Sequence, residues 1–144
     1  MVYFSARKRS TGCSSLCGSI YSIIPDFIEC GLDILDPLQT TAVNMDLDQI
    51  KHEFGDKLSF HGSIDIQEIM PFGTVDEVSE EVKLRIKQLG PGGGFILAPA
   101  HAFQDDTPPE NIVAMYQSGR KFGPYPIDIN VDKRRLYHGK IHQT

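Results

Sequence analysis

The 144 residues carry a formal charge of −5 at pH 7, with 40% hydrophobic and 23% charged side chains and three cysteines. That length is one domain with enough chain for a real core; the acidity argues against a general nucleic-acid binder, and an odd, sparse set of cysteines is no disulfide framework. No apolar run approaches the roughly 20 residues of a membrane span, and the start, M-V-Y-F-S-A-R-K-R-S, is apolar first and basic after, the reverse of a signal peptide, so a cytoplasmic location is expected.

Val2-Tyr3-Phe4 is the first of four short apolar runs, and a long basic and serine-rich loop follows it. That loop holds T-G-C-S-S-L-C-G-S, with Cys13 and Cys17 in C-x3-C spacing and with Ser15 and Gly18 beside them. A helical pattern from Ile20 to Cys30 is interrupted by Pro25, which alternatively marks its N-terminus. The second apolar run is Asp33-Ile34-Leu35, followed by Asp36-Pro37-Leu38-Gln39 and a helix from Asp46 through Ile50 and Phe54 to Gly55. The third is Leu58-Ser59-Phe60, and His61 through Gln67 follow it.

The next helix is the best punctuated. Thr74 and Glu77 form a capping box, Val78, Val82, Ile86 and Leu89 fall on one face, Gly90 is the expected left-handed terminator and Pro91 prevents continuation. Gly92-Gly93-Gly94 enters the fourth run, Gly94-Phe95-Ile96-Leu97. Because these glycines precede a strand instead of opening a helix, they lack the context of a phosphate loop. Pro99 through Asp106 come next, and Thr107-Pro108-Pro109-Glu110 reads as a second capping box, with Ile112, Val113 and Tyr116 on its helix and Gly119 closing it. Residues 127–144 lack periodicity and form a polar tail containing Lys133-Arg134-Arg135; this run and Arg7-Lys8-Arg9 read as solvated ends.

Strand and helix alternate at the spacing of βα units, which predicts a parallel sheet with helices outside it. Four units are too few to close a barrel of eight, so the chain is either a small open α/β sheet or half of a larger barrel. In either, chemistry collects where strands end. The candidates there are His101, an imidazole able to donate or accept a proton, and the amides and carboxylate of Gln39, Asp65 and Gln67; the structural alternative for Asp65 and Gln67 is to cap the next turn. His61 alternates with Phe60, so the two point to opposite faces, and a structural histidine is expected there.

In their order and spacing, C-G-S-I-Y-S-I-I-P-D-F-I-E-C-G-L-D-I-L-D-P-L-Q, F-G-D-K-L-S-F-H-G-S-I-D, P-F-G-T-V-D-E-V, G-P-G-G-G-F-I-L-A-P-A-H and P-P-E-N-I-V-A-M-Y resemble the uroporphyrinogen decarboxylase family, in its decarboxylase-like branch. The resemblance covers about residues 13 to 126. It implies a partial (β/α)8 barrel: residues 1–126 as the C-terminal half, with the four runs standing for strands five to eight, and 127–144 as the tail. The implied reaction is decarboxylation of the acetate side chains of uroporphyrinogen III to give coproporphyrinogen, in porphyrin biosynthesis, a lyase reaction needing no metal or organic cofactor. His101 matches a histidine of that pocket. The arginines, aspartate and tyrosine of the family site belong to the N-terminal half, and Arg7, Arg9 and Arg120 do not match them, so the chain alone is expected to be inactive.

Relatives that transfer methyl groups with zinc and a corrinoid imply a different site. There Cys17 matches a ligand cysteine, but Ser15 stands where a histidine is needed, so a complete zinc site is not expected. A third reading is a non-catalytic fragment or interaction module. The exposed edges and inner face of a half-barrel favour a complementary N-terminal half or a homo-oligomer, with a tetrapyrrole as small-molecule partner and neither nucleic acid nor membrane.

Overall fold

A computed structural model describes residues 19–127 in full and the backbone of Cys13–Ser15. Four strands, β1 (Cys13–Ser15), β2 (Ile34–Leu38), β3 (Ser59–Ile64) and β4 (Phe95–Pro99), form one parallel sheet in sequential order. A short 3-10 turn, Tyr21–Ile23, leads into α1 (Ile24–Glu29); α2 (Leu47–Phe54) joins β2 to β3; α3 (Ile69–Phe72) and α4 (Val75–Leu89) join β3 to β4; and α5 (Pro109–Phe122) follows β4. Each strand lies beside its predecessor with no reversal of order, unlike a doubly wound sheet. This α/β arrangement is compatible with a partial (β/α)8 barrel.

The helices cover one face of the sheet. Leu35, Phe60 and Ile64 are fully buried and Phe95 nearly so, in one core with Ile50, Val78, Val82, Leu89 and Met115. Lys51 of α2 lies over the Phe60 ring, and Leu97 reaches Gly119 of α5, so β3 and β4 both present this face to helices. Alternation then turns Ile34, Asp36, Ser59, His61, Ile96 and Ala98 to the other side, where all six remain half-buried.

Local signals placed several elements. Asp46 caps α2 by accepting from the Gln49 amide, and Gly55 ends it. Thr74 and Glu77 form the reciprocal box at α4, and Val78, Val82, Ile86 and Leu89 are its buried face. Pro25 sits in the first turn of α1, the second of its two readings. All three glycines before β4 have positive φ, and the Lys51 ammonium donates to the Gly93 carbonyl at 2.6 Å.

Other expectations need correction. The run Val2-Tyr3-Phe4 lies outside the described residues, and the strand beside β2 is Cys13–Ser15, so Ser15 is in a strand and not in the loop after it. Cys17 and Gly18 also lie outside the described residues. The remaining strands begin within a residue of their expected starts but run further, taking in Asp36 to Leu38, His61 to Ile64 and Ala98 to Pro99. Pro37 does not stop β2 because it sits where the register shifts between Leu35 and Leu38, a place where no ladder N–H is required.

Gly90 is right-handed, at φ −72°, and its lack of a side chain serves space instead: a Cβ would collide with Ile127. At α5 the N-cap is Pro108, without a side-chain cap, and the Thr107 hydroxyl is buried with no partner among the described residues. Val113 and Tyr116 are exposed; Asn111, Ala114, Met115, Ser118 and Gly119 form the buried face, and the helix runs through Gly119 to Phe122. The small residues win that face because α5 packs close against α4 and β4: the Ser118 and Ser79 hydroxyls meet at 2.9 Å, and Gly119 faces Leu97.

Candidate functional site

The loops beyond β2, β3 and β4 converge on a cavity of about 260 Å³ lined by Gln39, Thr40, Thr41, Asp65, Ile66, Gln67, Ala100 and His101. Gln39, Asp65, Gln67 and His101 come from three different strand ends, and the sheet's parallel order is what brings them together. The volume falls below the roughly 300–1,000 Å³ usual for a small-molecule pocket, so it suits one edge of a large ligand.

Each side chain has a distinct setting. Asp65 accepts from the backbone amides of Gln67 at 2.9 Å, Glu68 at 3.3 Å and Ile69 at 3.4 Å, organising the turn into α3. A carboxylate has about four lone-pair positions, so one remains for a ligand. Gln39 is half-buried, and its amide reaches the Thr41 hydroxyl at a loose 3.4 Å. Gln67 is exposed, as is His101, whose imidazole has no hydrogen-bond partner among the described residues. Asn111, not singled out from the sequence, anchors the same region: its amide donates to the carbonyls of Met70 at 3.0 Å and Gly73 at 2.8 Å, fixing the end of α3.

One further pair lies outside the cavity wall. His61 Nδ1 and Asp36 Oδ1 are 2.6 Å apart, joining β3 to β2 on the face that no described helix covers, so the alternation expected at Phe60 and His61 holds. The Ser63 hydroxyl, two residues beyond His61, is buried without a partner among the described residues, and Ser63 has φ 81°. No group of three or more His, Cys, Asp or Glu side chains among the described residues is placed to hold a metal ion. Nor is any described helix long and apolar enough to cross a membrane.

The family model described as uroporphyrinogen decarboxylase (URO-D) matches residues 13–122, from β1 to the end of α5. The chain belongs to the uroporphyrinogen decarboxylase family. Among curated proteins it is similar to a methylcobamide:CoM methyltransferase, MtaA, of Methanosarcina barkeri, at 29% identity over 112 residues, covering 78% of this chain and 31% of the relative. A second MtaA, from Methanosarcina barkeri (strain Fusaro / DSM 804), is 28% identical over 115 residues, with the same 78% and 31% coverage. The chain thus spans about a third of the length of these URO-D-family relatives.

Proposed function

We propose that this chain forms the C-terminal part of a tetrapyrrole decarboxylase site, with β1 to β4 standing for strands five to eight of the family barrel and residues 127–144 as a tail. The observation that carries the reading is the gathering of His101, Gln39, Asp65 and Gln67 around one cavity at the strand ends. In this reading, His101 exchanges protons with the substrate, and Gln39, Gln67 and the remaining Asp65 lone pair hold one pyrrole edge and its acetate.

Loss of carbon dioxide from an acetate on a pyrrole needs an electron sink. A proton added to the ring carbon supplies one: the bond to the carboxylate breaks, its electrons form an exocyclic methylene, and carbon dioxide leaves. A second proton then converts the methylene to methyl as the ring carbon returns its own. The net change consumes one proton and needs no redox partner. Imidazole suits both donation and acceptance near neutral pH. Neither a metal nor an organic cofactor enters this reading, and the location proposed for it is cytoplasmic.

The test is binding of uroporphyrin, the oxidised and stable form of the macrocycle, followed by its visible absorbance. His101→Ala should weaken binding about three- to tenfold, the worth of one hydrogen bond of roughly 1 kcal/mol. The chain alone should form no coproporphyrinogen from uroporphyrinogen III, because the arginines and aspartate implied for substrate carboxylates and pyrrole N–H groups have no counterpart in it. A complementary N-terminal half or a second copy would supply the missing wall. Absence of uroporphyrin binding would overturn the reading.

The similarity to the MtaA proteins favours a second reading, methyl transfer from a methylcobamide to CoM. Zinc and a corrinoid would then be required, with Cys17 as one zinc ligand. Cys17 lies outside the described residues, and Ser15, where a histidine ligand is implied, lies in β1. Demethylation of methylcobalamin in the presence of CoM and zinc would favour this second reading over the first.

A further inference from the structure

We propose that two copies of this chain close one barrel, β4 of each copy pairing with β1 of the other and α5 packing beside the other copy's α1. The proposal rests on the half-barrel reading and names the partner that completes it.

The sheet sets the terms. β1 and β4 are its outer strands, and each has one edge without a neighbouring strand among the described residues. Such an edge presents unpaired N–H and C=O groups, and closure removes both edges at once. All four strands are parallel, so a two-fold axis along the barrel sets β4 parallel to β1 of the second copy. Four strands from each copy make the eight of a closed barrel. The helices beside each junction, α5 after β4 and α1 after β1, then run parallel as well.

Their exposed faces point toward that junction. On α5, the Ser118 hydroxyl meets Ser79 of α4, Lys83 of α4 lies over the Phe122 ring, and Gly119 faces Leu97 of β4. At about 100° per residue, Val113, Tyr116 and Arg120 fall on the side turned away from α4, and all three are exposed. At α1 and the turn before it, Tyr21 packs edge-on against Phe54 of α2. Ile23, Asp26 and Cys30 fall on the side turned away from α2, and all three are exposed. Each edge helix thus carries an i, i+3, i+7 stripe where a neighbouring helix would lie.

The two stripes complement each other in parallel register. Val113 and Ile23 stand at the N-terminal ends, 52% and 40% exposed, and cover each other. Tyr116 and Arg120 follow on one stripe and Asp26 on the other, which brings a phenol and a guanidinium to a carboxylate. The charges agree over longer stretches. Residues 19–33 hold Asp26, Glu29 and Asp33 with no lysine or arginine, whereas residues 111–127 hold Arg120 and Lys121 with no acid. This complementarity between two ends of one chain selects a second copy as the occupant, because each copy brings both halves of the junction and the two-fold axis repeats it.

Light scattering of the chain as it leaves a sizing column tests this. A particle of twice the 16.1 kDa chain mass is expected. Arg120→Asp and Asp26→Arg should each weaken the pair about three- to thirtyfold, since two exposed ion pairs are lost per dimer. The chain carrying both exchanges should recover the pair, which a folding defect would not do. Lys57→Glu, an exposed charge reversal beyond α2, should leave the mass unchanged. A monomer at the highest soluble concentration, an open-ended series of larger species, or a pair indifferent to both reversals would overturn the proposal. So would a monomer that pairs only with the portion of Methanosarcina barkeri MtaA outside its match to this chain. Uroporphyrin titration separates this proposal from the site reading. A monomer that binds uroporphyrin overturns self-pairing and leaves the tetrapyrrole site standing, and a reversal-sensitive pair that binds none supports self-pairing and overturns the site.

Discussion

The two faces of this sheet are built from the same strands and obey different rules. On the helix side, Leu35, Phe60, Ile64 and Phe95 meet helix residues in a continuous core, and their burial is what holds the fold. On the other side, Asp36 and His61 lie among Ile34, Ser59, Ile96 and Ala98, all half-buried, and meet each other across two strands. A polar pair there costs little because water still reaches it, whereas the same pair one residue along either strand would enter the core without adequate solvation. The difference separates residues retained for packing from residues free to do chemistry.

Substitutions on the two faces should therefore differ most. Phe60→Ala removes a fully buried ring and should cost about 3–5 kcal/mol in urea denaturation. A loss below roughly 1 kcal/mol would mean that the helix-side core is not the stabilising face.

An intermediate effect is expected at the edge of the covering layer. Thr74→Ala should cost about 1 kcal/mol by uncapping α4. Glu77 is held below its ordinary value of 4.5 by the Thr74 backbone N–H and then by the Thr74 hydroxyl. Its folded value is the lower one, so its contribution is complete above 4.5 and is lost as pH falls through the folded value. Glu77→Gln should flatten the acid limb of a stability–pH curve, and an unchanged limb would show that the box is not formed.

The smallest effect belongs to the open face. His61→Gln breaks a pair whose side chains are 34% and 29% exposed, and exposed ion pairs contribute about 0–1 kcal/mol. A thermal or urea midpoint close to that of the parent chain is expected. A loss as large as that of Phe60→Ala would place His61 in the core and erase the distinction between the faces.

Legibility in the sequence tracked how local each cause is. The α4 box and its Val78–Val82–Ile86–Leu89 face depend on residues within a few positions of one another, and both form as read; the helix expected from Asp46 begins there, with Asp46 as its cap. The face of α5 was misplaced because Asn111, Ser118 and Gly119 look polar or terminating until the α3–α4 junction, Ser79 and Leu97 stand against them. The expected runs end at Leu35, Phe60 and Leu97, whereas the strands continue over Pro37, Gly62 and Pro99, residues that are tolerated at a bulge or a strand terminus.

At the candidate site, chain order and strand position were enough to single out Gln39, Asp65, Gln67 and His101, because a parallel sheet delivers every strand end to the same side. The sequence by itself determined the alternation of strands and helices, the capping of α4, the start of α2 at Asp46, the opposite facing of Phe60 and His61, and the family. Only the tertiary structure decided that Asp65 spends three acceptor positions on the turn into α3 and that Asp36 meets His61. The reason is physical. Periodicity fixes which way a side chain points within its own strand, but the partner 25 residues away is set by the register between strands, here the one that puts Ile34 opposite Ser59 and Leu35 opposite Phe60.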